Sequence, residues 1–135
     1  MDREQTLVIL KPDCVRRGLI GEVISRFERK KLKIRKMDFR ELPLGLVEQH
    51  YIEHKDKDFY STLVRFMSQG CVVVMILEGF NAVAVVRRLL GATQYGAEPG
   101  SIRGDFAELG VENIAHASDS VVSAEREIQL FFVGV

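Results

Sequence analysis

"TLVILKPD", residues 6–13, decides the fold: Thr6 to Leu10 are continuously β-favouring and almost wholly apolar, and the run halts at Lys11-Pro12-Asp13. Such a run predicts a strand covered on both faces, and therefore one at the centre of its sheet. A second run of the same kind, "CVVVMILEG" (71–79), supplies another buried strand. Between them, after Gly18, the residues Ile20, Val23, Ile24 and Phe27 follow the i, i+3, i+4, i+7 pattern of a helix with one buried face, ended by Lys30 and Lys31. In "KIRKMDFREL" (33–42), Met37 and Phe39 alternate with charge but Arg35-Lys36 breaks the period. That pattern predicts a half-exposed edge strand with a bulge.

The remaining segments fit around this frame. Residues 44–68 read as two short helices about the polar "EHKDKD", the second with Phe59, Leu63 and Met67 on one face. A helix carrying Val83, Val86, Leu89 and Leu90 stops at Gly91, and a long loop, 92–112, follows with four glycines and a proline. "NIAH" (113–116) predicts a short last strand, and Ala124, Ile128 and Phe131 mark a closing helix that starts near Asp119, Ser120 or Ser123. With the helical excursion set aside, the order is βαββαβ. This predicts an α+β, ferredoxin-like sandwich: a four-stranded antiparallel sheet, helices on one face, and a helical-hairpin insertion, all in one domain over 1–135.

Bulk properties narrow the function. The 135 residues are 47% hydrophobic, enough for a core without disulfides or a structural metal. Nineteen basic and nineteen acidic side chains cancel, so the overall field attracts neither nucleic acid nor an anionic membrane. The apolar run at 71–77 falls far short of the roughly 20 residues a membrane span requires, and the charged start "MDREQ" is unlike a leader, so a cytoplasmic protein is expected. Cys14 and Cys71 lack the spacing of a metal site and read as plain thiols.

The candidate chemistry gathers at strand ends. In "NIAHASDS" (113–120), His116 stands among an amide, two hydroxyls and a carboxylate, with Glu127 two to three turns into the closing helix. A reactive histidine needs one nitrogen free and the other held by an acceptor; the bland alternative is a capped helix with an incidental histidine. Arg87-Arg88, the "PGSIRGDF" of the long loop and Lys11 offer cations suited to phosphate oxygens, against the ordinary reading as solvated charge. The "RGD" within that loop points to adhesion only in an exported chain. "HYIEH" (50–54) matches an inverted zinc-peptidase motif, but its surroundings are polar nearly all round and a third ligand is missing. "GLIG" (18–21) satisfies an RNA-clamp pattern yet opens an amphipathic helix, and neither glycine-rich nucleotide cradle, G-x-x-x-x-G-K-[ST] nor G-x-G-x-x-G, is present.

Taken together, "KPD", "GSIRGDF" and "NIAHASDS" resemble the nucleoside diphosphate kinase family, over about residues 4–132 and with the same element order. The resemblance implies a ping-pong transfer of the γ-phosphate of a nucleoside triphosphate to a nucleoside diphosphate through a phosphohistidine at His116. It further implies phosphate contacts from Lys11, Arg87, Thr93 and Arg103, base stacking on Phe59, and sugar contacts from Asn113 with Lys11. Tyr51 would stand beside the phosphates, with Ser118 and Glu127 positioning the histidine. Mg²⁺ would arrive with the nucleotide, held mainly by phosphate oxygens and water rather than by a protein cage. ATP, GTP and other nucleoside tri- and diphosphates would be the partners, and a homo-oligomer is implied: a hexamer, with tetramer or dimer as alternatives. A catalytically silent nucleotide-binding or regulatory module of the same fold is the alternative reading.

The physical demands of phosphoryl transfer, in-line positioning and compensating positive charge, suit this residue set. An ordinary imidazole, titrating near about 6.5, is largely neutral at pH 7 and can attack phosphorus without a separate base. The chain departs from the family pattern at several points. Cys14 stands for a usual glycine and Cys71 for a common proline; "ATQYGAEPG" is short and lacks Asn-Pro after the threonine; and Gly110-Val111 reverse their usual order. The ending at Val135 fits a short, prokaryotic-type form.

Overall fold

The computed structural model describes residues 3–92, 96–108 and 110–133. Its four strands are β1 (Arg3–Leu10), β2 (Lys33–Glu41), β3 (Cys71–Phe80) and β4 (Ala115–Ala117), in the spatial order β2-β3-β1-β4 with every pair antiparallel. The two apolar runs are thus the two central strands, as their lack of alternation predicts. Burial alternates along them. Val8 and Leu10 with Val73, Met75 and Leu77 face one core; Leu7 and Ile9 with Val72 and Val74 face the other. β2 is an edge strand, and its register against β3 slips between Ile34 and Lys36, at the break in the sequence period.

The first core is covered by α2 (Ile20–Arg29), through Val23 and Phe27, and by α5 (Ala82–Leu90), through Ala82, Val86 and Leu90. These are the crossover helices of the split βαβ units. The second core is covered by the hairpin insertion, α3 (Leu44–His50) and α4 (Tyr60–Ser68), joined through a 3₁₀ turn at Ile52–His54. Chain closure adds to this face: α7 (Val121–Ile128) continues into a π-helical turn, Gln129–Val133, that inserts Phe131. Each fully buried large apolar side chain contributes about 1.5–3 kcal/mol, so both faces are substantial cores.

Two short helices refine the element order. α1 (Pro12–Arg16) follows β1 directly, because Pro12 at the first helical position is preorganised and has no N–H to leave unpaired. Within the expected long loop lies α6 (Ile102–Phe106), capped by Ser101, whose hydroxyl accepts from Gly104 N at 3.0 Å. Gly104 is required there: a Cβ would collide with the carbonyl of Glu98. The same turn fixes Asp105 against Arg26 at 2.8 Å and Gly100 N at 2.8 Å, so the RGD tripeptide is part of the framework. The last strand begins at Ala115, two residues later than "NIAH" predicts, and α7 is capped by Ser120, which accepts from Ser123 N at 3.0 Å. Among the described residues no helix is long and apolar enough to cross a membrane.

Candidate active site

The site grows from the neighbouring ends of β1 and β4. Ile9 pairs with His116 and Leu10 with Ala115. Because strand residues alternate in facing, Ala115 and Ala117 enter the first core while His116 points to the opposite face, where α3 and α7 converge. There His116 Nε2 lies 3.0 Å from Glu127 Oε1, and Ser118 Oγ donates to the same oxygen at 2.6 Å. Ser118 is itself fixed, accepting from Leu7 N at 3.2 Å. An ionised Glu127 can only accept, so this bond places the imidazole proton on Nε2 and leaves the Nδ1 lone pair free. Glu127 is buried, whereas the His116 side chain is 19% exposed.

A cleft of about 630 Å³ opens beside this group, lined by Lys11, Phe59, Leu63, Arg103, Val111 and Asn113 among others. Phe59, at the start of α4, is 45% exposed and presents a ring to the opening, with His54 5.5 Å away centroid to centroid. Lys11 leaves the end of β1 and donates from Nζ to Asn113 Oδ1 at 2.7 Å. Arg103 donates to three main-chain carbonyls: Nε to Asn113 at 3.1 Å, Nη1 to Gly91 at 3.0 Å and Nη2 to Ala115 at 2.6 Å. Of a guanidinium's five N–H groups, two remain for a ligand. Arg87, on α5, donates to Ala117 O at 3.2 Å, so the two arginines hold the carbonyls on either side of His116.

Electrostatics follow from this crowding of cations. Burial, and then the charge of Arg103, hold Lys11 down at about 7, against a partial counterweight from Asp13. Arg103 is lowered to about 10 by its own burial and by Arg87. Both are therefore poised for an anion. Burial pushes the Tyr51 phenol upward, and its hydroxyl has no protein partner among the described residues. Burial pushes the Cys14 thiol up to about 12, which makes it inert; both cysteines are free.

The structure thus brings Lys11, Phe59, Arg103 and Asn113 to one cleft, and Tyr51, His116, Ser118 and Glu127 to a packed group beside it, with Arg87 tied to the same strand. Thr93 lies outside the described residues. Val111, from the reversed Gly110-Val111 pair, lines the cleft with Gly110. "HYIEH" is not a zinc motif on one helix: α3 ends at His50, and His54 sits in the 3₁₀ turn facing Phe59. His50 instead packs edge-on against His116, with centroids 4.5 Å apart, and both its ring nitrogens are buried without a protein partner among the described residues. Burial holds it well below the ordinary histidine range, as a neutral ring. Sequence reasoning gave His50 no place beside His116, although its spacing from Val47 on the buried face of α3 was a usable signal.

Comparisons with known proteins point the same way. The family model described as nucleoside diphosphate kinase matches residues 4–134. The chain is 53% identical to a nucleoside diphosphate kinase of Methanocaldococcus jannaschii over 131 residues, covering 96% of this chain and 94% of that one. It is 52% identical to one of Streptomyces griseus, covering 98% of each. Among solved structures, the Aquifex aeolicus nucleoside diphosphate kinase superposes with a TM-score of 0.94 at 35% identity, covering 98% of this chain and 97% of that one. The Halobacterium salinarum nucleoside diphosphate kinase in complex with CDP superposes at 0.93 with 44% identity, covering 97% of this chain and 88% of that one. The chain belongs to the nucleoside diphosphate kinase family, and is an enzyme of phosphate transfer between nucleotides.

Proposed function

We propose that the chain performs this transfer through His116 as a covalent carrier. The single observation that carries the reading is the bond from His116 Nε2 to Glu127, itself held by Ser118, which aims Nδ1 as the free nitrogen. Nδ1 attacks the γ-phosphorus of a nucleoside triphosphate; the bond from that phosphorus to the bridging oxygen breaks, and the diphosphate leaves. A second nucleoside diphosphate then attacks the phosphorus with its terminal oxygen, the N–P bond breaks, and the imidazole is restored. Lys11, Arg87 and Arg103 supply charge against the negative charge that spreads over the transferring oxygens, with Thr93 as a further phosphate contact. Asn113 and Lys11 bind the sugar hydroxyls, Phe59 stacks on the base, and Tyr51 closes the phosphate side. A π-face is common to every nucleobase, which makes ATP, GTP and other nucleotides acceptable.

Mg²⁺ does not require a protein cage for this reading. Among the described residues one group could gather three metal-ligating atoms, His50, His116 and Glu127, within 4.8 Å of one another. Two imidazoles and one carboxylate do not suit Mg²⁺, which takes oxygen ligands. The fit is to an ion carried by the nucleotide, where it neutralises charge on the phosphate oxygens. The exposed edge strand β2, with Phe39 62% and Met37 53% exposed, supports a homo-oligomer built by pairing that edge with its copy, a hexamer ahead of a tetramer or dimer, and the cytoplasm is where we place the enzyme.

Incubation with γ-labelled ATP tests the mechanism. Acid-labile, base-stable label is expected on the wild type and not on His116→Asn; label retained by that variant refutes it. Phosphate exchange between ATP and a second nucleoside diphosphate separates this reading from a silent nucleotide-binding module, which would bind without exchanging.

A further inference from the structure

We infer that Asp13 is a positioning residue for the transfer: it holds a strained turn at Ile114 that sets Asn113 and His116 in place. The inference rests on His116 being the phosphate carrier. Ile114 adopts φ +77°, a left-handed conformation that a β-branched side chain strongly resists. Ala115 N donates to Asn113 O at 2.9 Å, closing a three-residue γ-turn whose centre is Ile114. Asn113 stands at its start, and His116 follows its last residue.

The turn is clamped from one place. Ile114 N donates to Asp13 Oδ2 at 3.0 Å, and Ile114 O accepts from Lys11 N at 2.9 Å. Both peptide groups of the strained residue are thus bound by the corner between β1 and α1, within the "KPD" stretch. Asp13 is fully buried, and its other oxygen, Oδ1, has no protein partner among the described residues. Burying a carboxyl group with one oxygen unpartnered among the described residues is costly, and the main-chain bond from Ile114 offsets part of that cost. The Ile114 side chain is also fully buried, in the first core with Ala115 and Ala117. Packing anchors the side chain, Asp13 anchors the peptide, and the backbone between them cannot relax. Arg103 then registers on this turn, because two of its carbonyl partners, Asn113 and Ala115, flank Ile114.

Glycine adopts φ +77° without strain, so a glycine at 114 makes the clamp dispensable. Rapid-quench measurement of His116 phosphorylation by ATP is the test, on wild type, Asp13→Ala, Ile114→Gly and the double variant, with ADP affinity measured alongside. Asp13→Ala is expected to slow phosphorylation tenfold or more in the wild-type background and less than threefold in the Ile114→Gly background, with ADP affinity, which draws on Asn113 at the start of the turn, following the same pattern. An equal slowing in both backgrounds, or no slowing, overturns the inference. If Asp13→Ala does not fold, Asp13→Asn decides, because its amide oxygen keeps an acceptor for Ile114 N: phosphorylation within threefold of wild type supports the inference, and a tenfold or greater slowing overturns it. If Ile114→Gly does not fold, Asp13→Asn decides beside Asp13→Ala, because its amide oxygen can still accept from Ile114 N: slowing by alanine but not by asparagine supports the inference, and equal slowing by both overturns it. A wild type that takes no label on His116 refutes the carrier mechanism instead, and the inference falls with it.

Discussion

Glu127→Gln isolates the carboxylate charge beside His116, the proposed phosphate carrier. Glu127 Oε1 faces His116 Nε2 at 3.0 Å and accepts from Ser118 Oγ at 2.6 Å, and a glutamine carbonyl oxygen in the same place can still accept both bonds. Geometry and proton location are kept; the negative charge is lost. A hydrogen bond to an ionised group contributes about 1.5–3 kcal/mol net, against about 0.5–1.5 for a neutral pair. The Ser118 bond exists before and during the reaction, so its weakening cancels from the rate. The His116 bond does not cancel, because the ring gains positive character as Nδ1 bonds to phosphorus. Its loss of about 1–1.5 kcal/mol corresponds to roughly a fivefold to twelvefold slower phosphorylation. Rapid-quench phosphorylation by ATP under single-turnover conditions reads this step alone. A change under twofold would show that the carboxylate charge does not assist the step. A loss of several thousandfold would refute the premise of kept geometry, since it would require the amide nitrogen to face Nε2 and drive the proton onto Nδ1.

Three further outcomes are expected. Arg103→Lys leaves at least two of the three carbonyls unpaired, two of which are buried and one partly buried, at about 1–3 kcal/mol for each buried one, and should lower the melting temperature by on the order of 10 °C as well as kcat/KM; an unchanged melting temperature would mean that water replaces the guanidinium. Lys11 is held at about 7 in the folded chain, so the unfolded chain binds more protons above that pH, and this group's destabilising contribution, complete below about pH 7, is relieved as pH rises toward 10.5. A bound phosphate restores the Lys11 charge, so ADP binding near pH 7.5 should take up a proton; calorimetry giving the same binding enthalpy in buffers of different ionisation enthalpy would refute this. Phe59→Ala should weaken ADP, GDP and CDP alike by about 1–3 kcal/mol, measured as dissociation constants, and a loss confined to one base would contradict stacking as the role of Phe59.

Sheet and crossover helices were legible from periodicity alone, because runs such as Leu7–Leu10 and Val72–Leu77 are buried on both faces and the edge strand β2 is not. The candidate site was legible mainly through its motifs: Lys11 stands 102 residues from Asn113, pairing between β1 and β4 brings the two together, and Arg103 joins them through the carbonyls of Asn113 and Ala115. What escaped the sequence has a common physical origin. Asp13, and the grip of Arg103 on carbonyls as distinct from its place in the site, act on main-chain groups through contacts set by tertiary closure, and such contacts leave no periodic trace. The short helix α6 escaped for a different reason: one turn, held by the Ser101 cap and by the space that Gly104 leaves beside Glu98, is too brief for a hydrophobic period to register.

The register of β4 decides whether the site exists at all. Its three residues carry Ala115 and Ala117 into one core and His116 toward the other, and a slip of one position would exchange those faces. Three residues of strand are too few to specify their own register by pairing. Clamps from outside the strand specify it: Lys11 N and Asp13 on Ile114, Arg103 on the carbonyls of Asn113 and Ala115, Arg87 on that of Ala117, and Ser118 N on Leu7 O at 3.1 Å. The Arg103 guanidinium also lines the cleft, whereas Lys11 clamps through its main-chain N–H and reaches the cleft with its ammonium. An anion that draws the Arg103 guanidinium away from the carbonyls of Asn113 and Ala115 therefore also acts on the strand carrying His116.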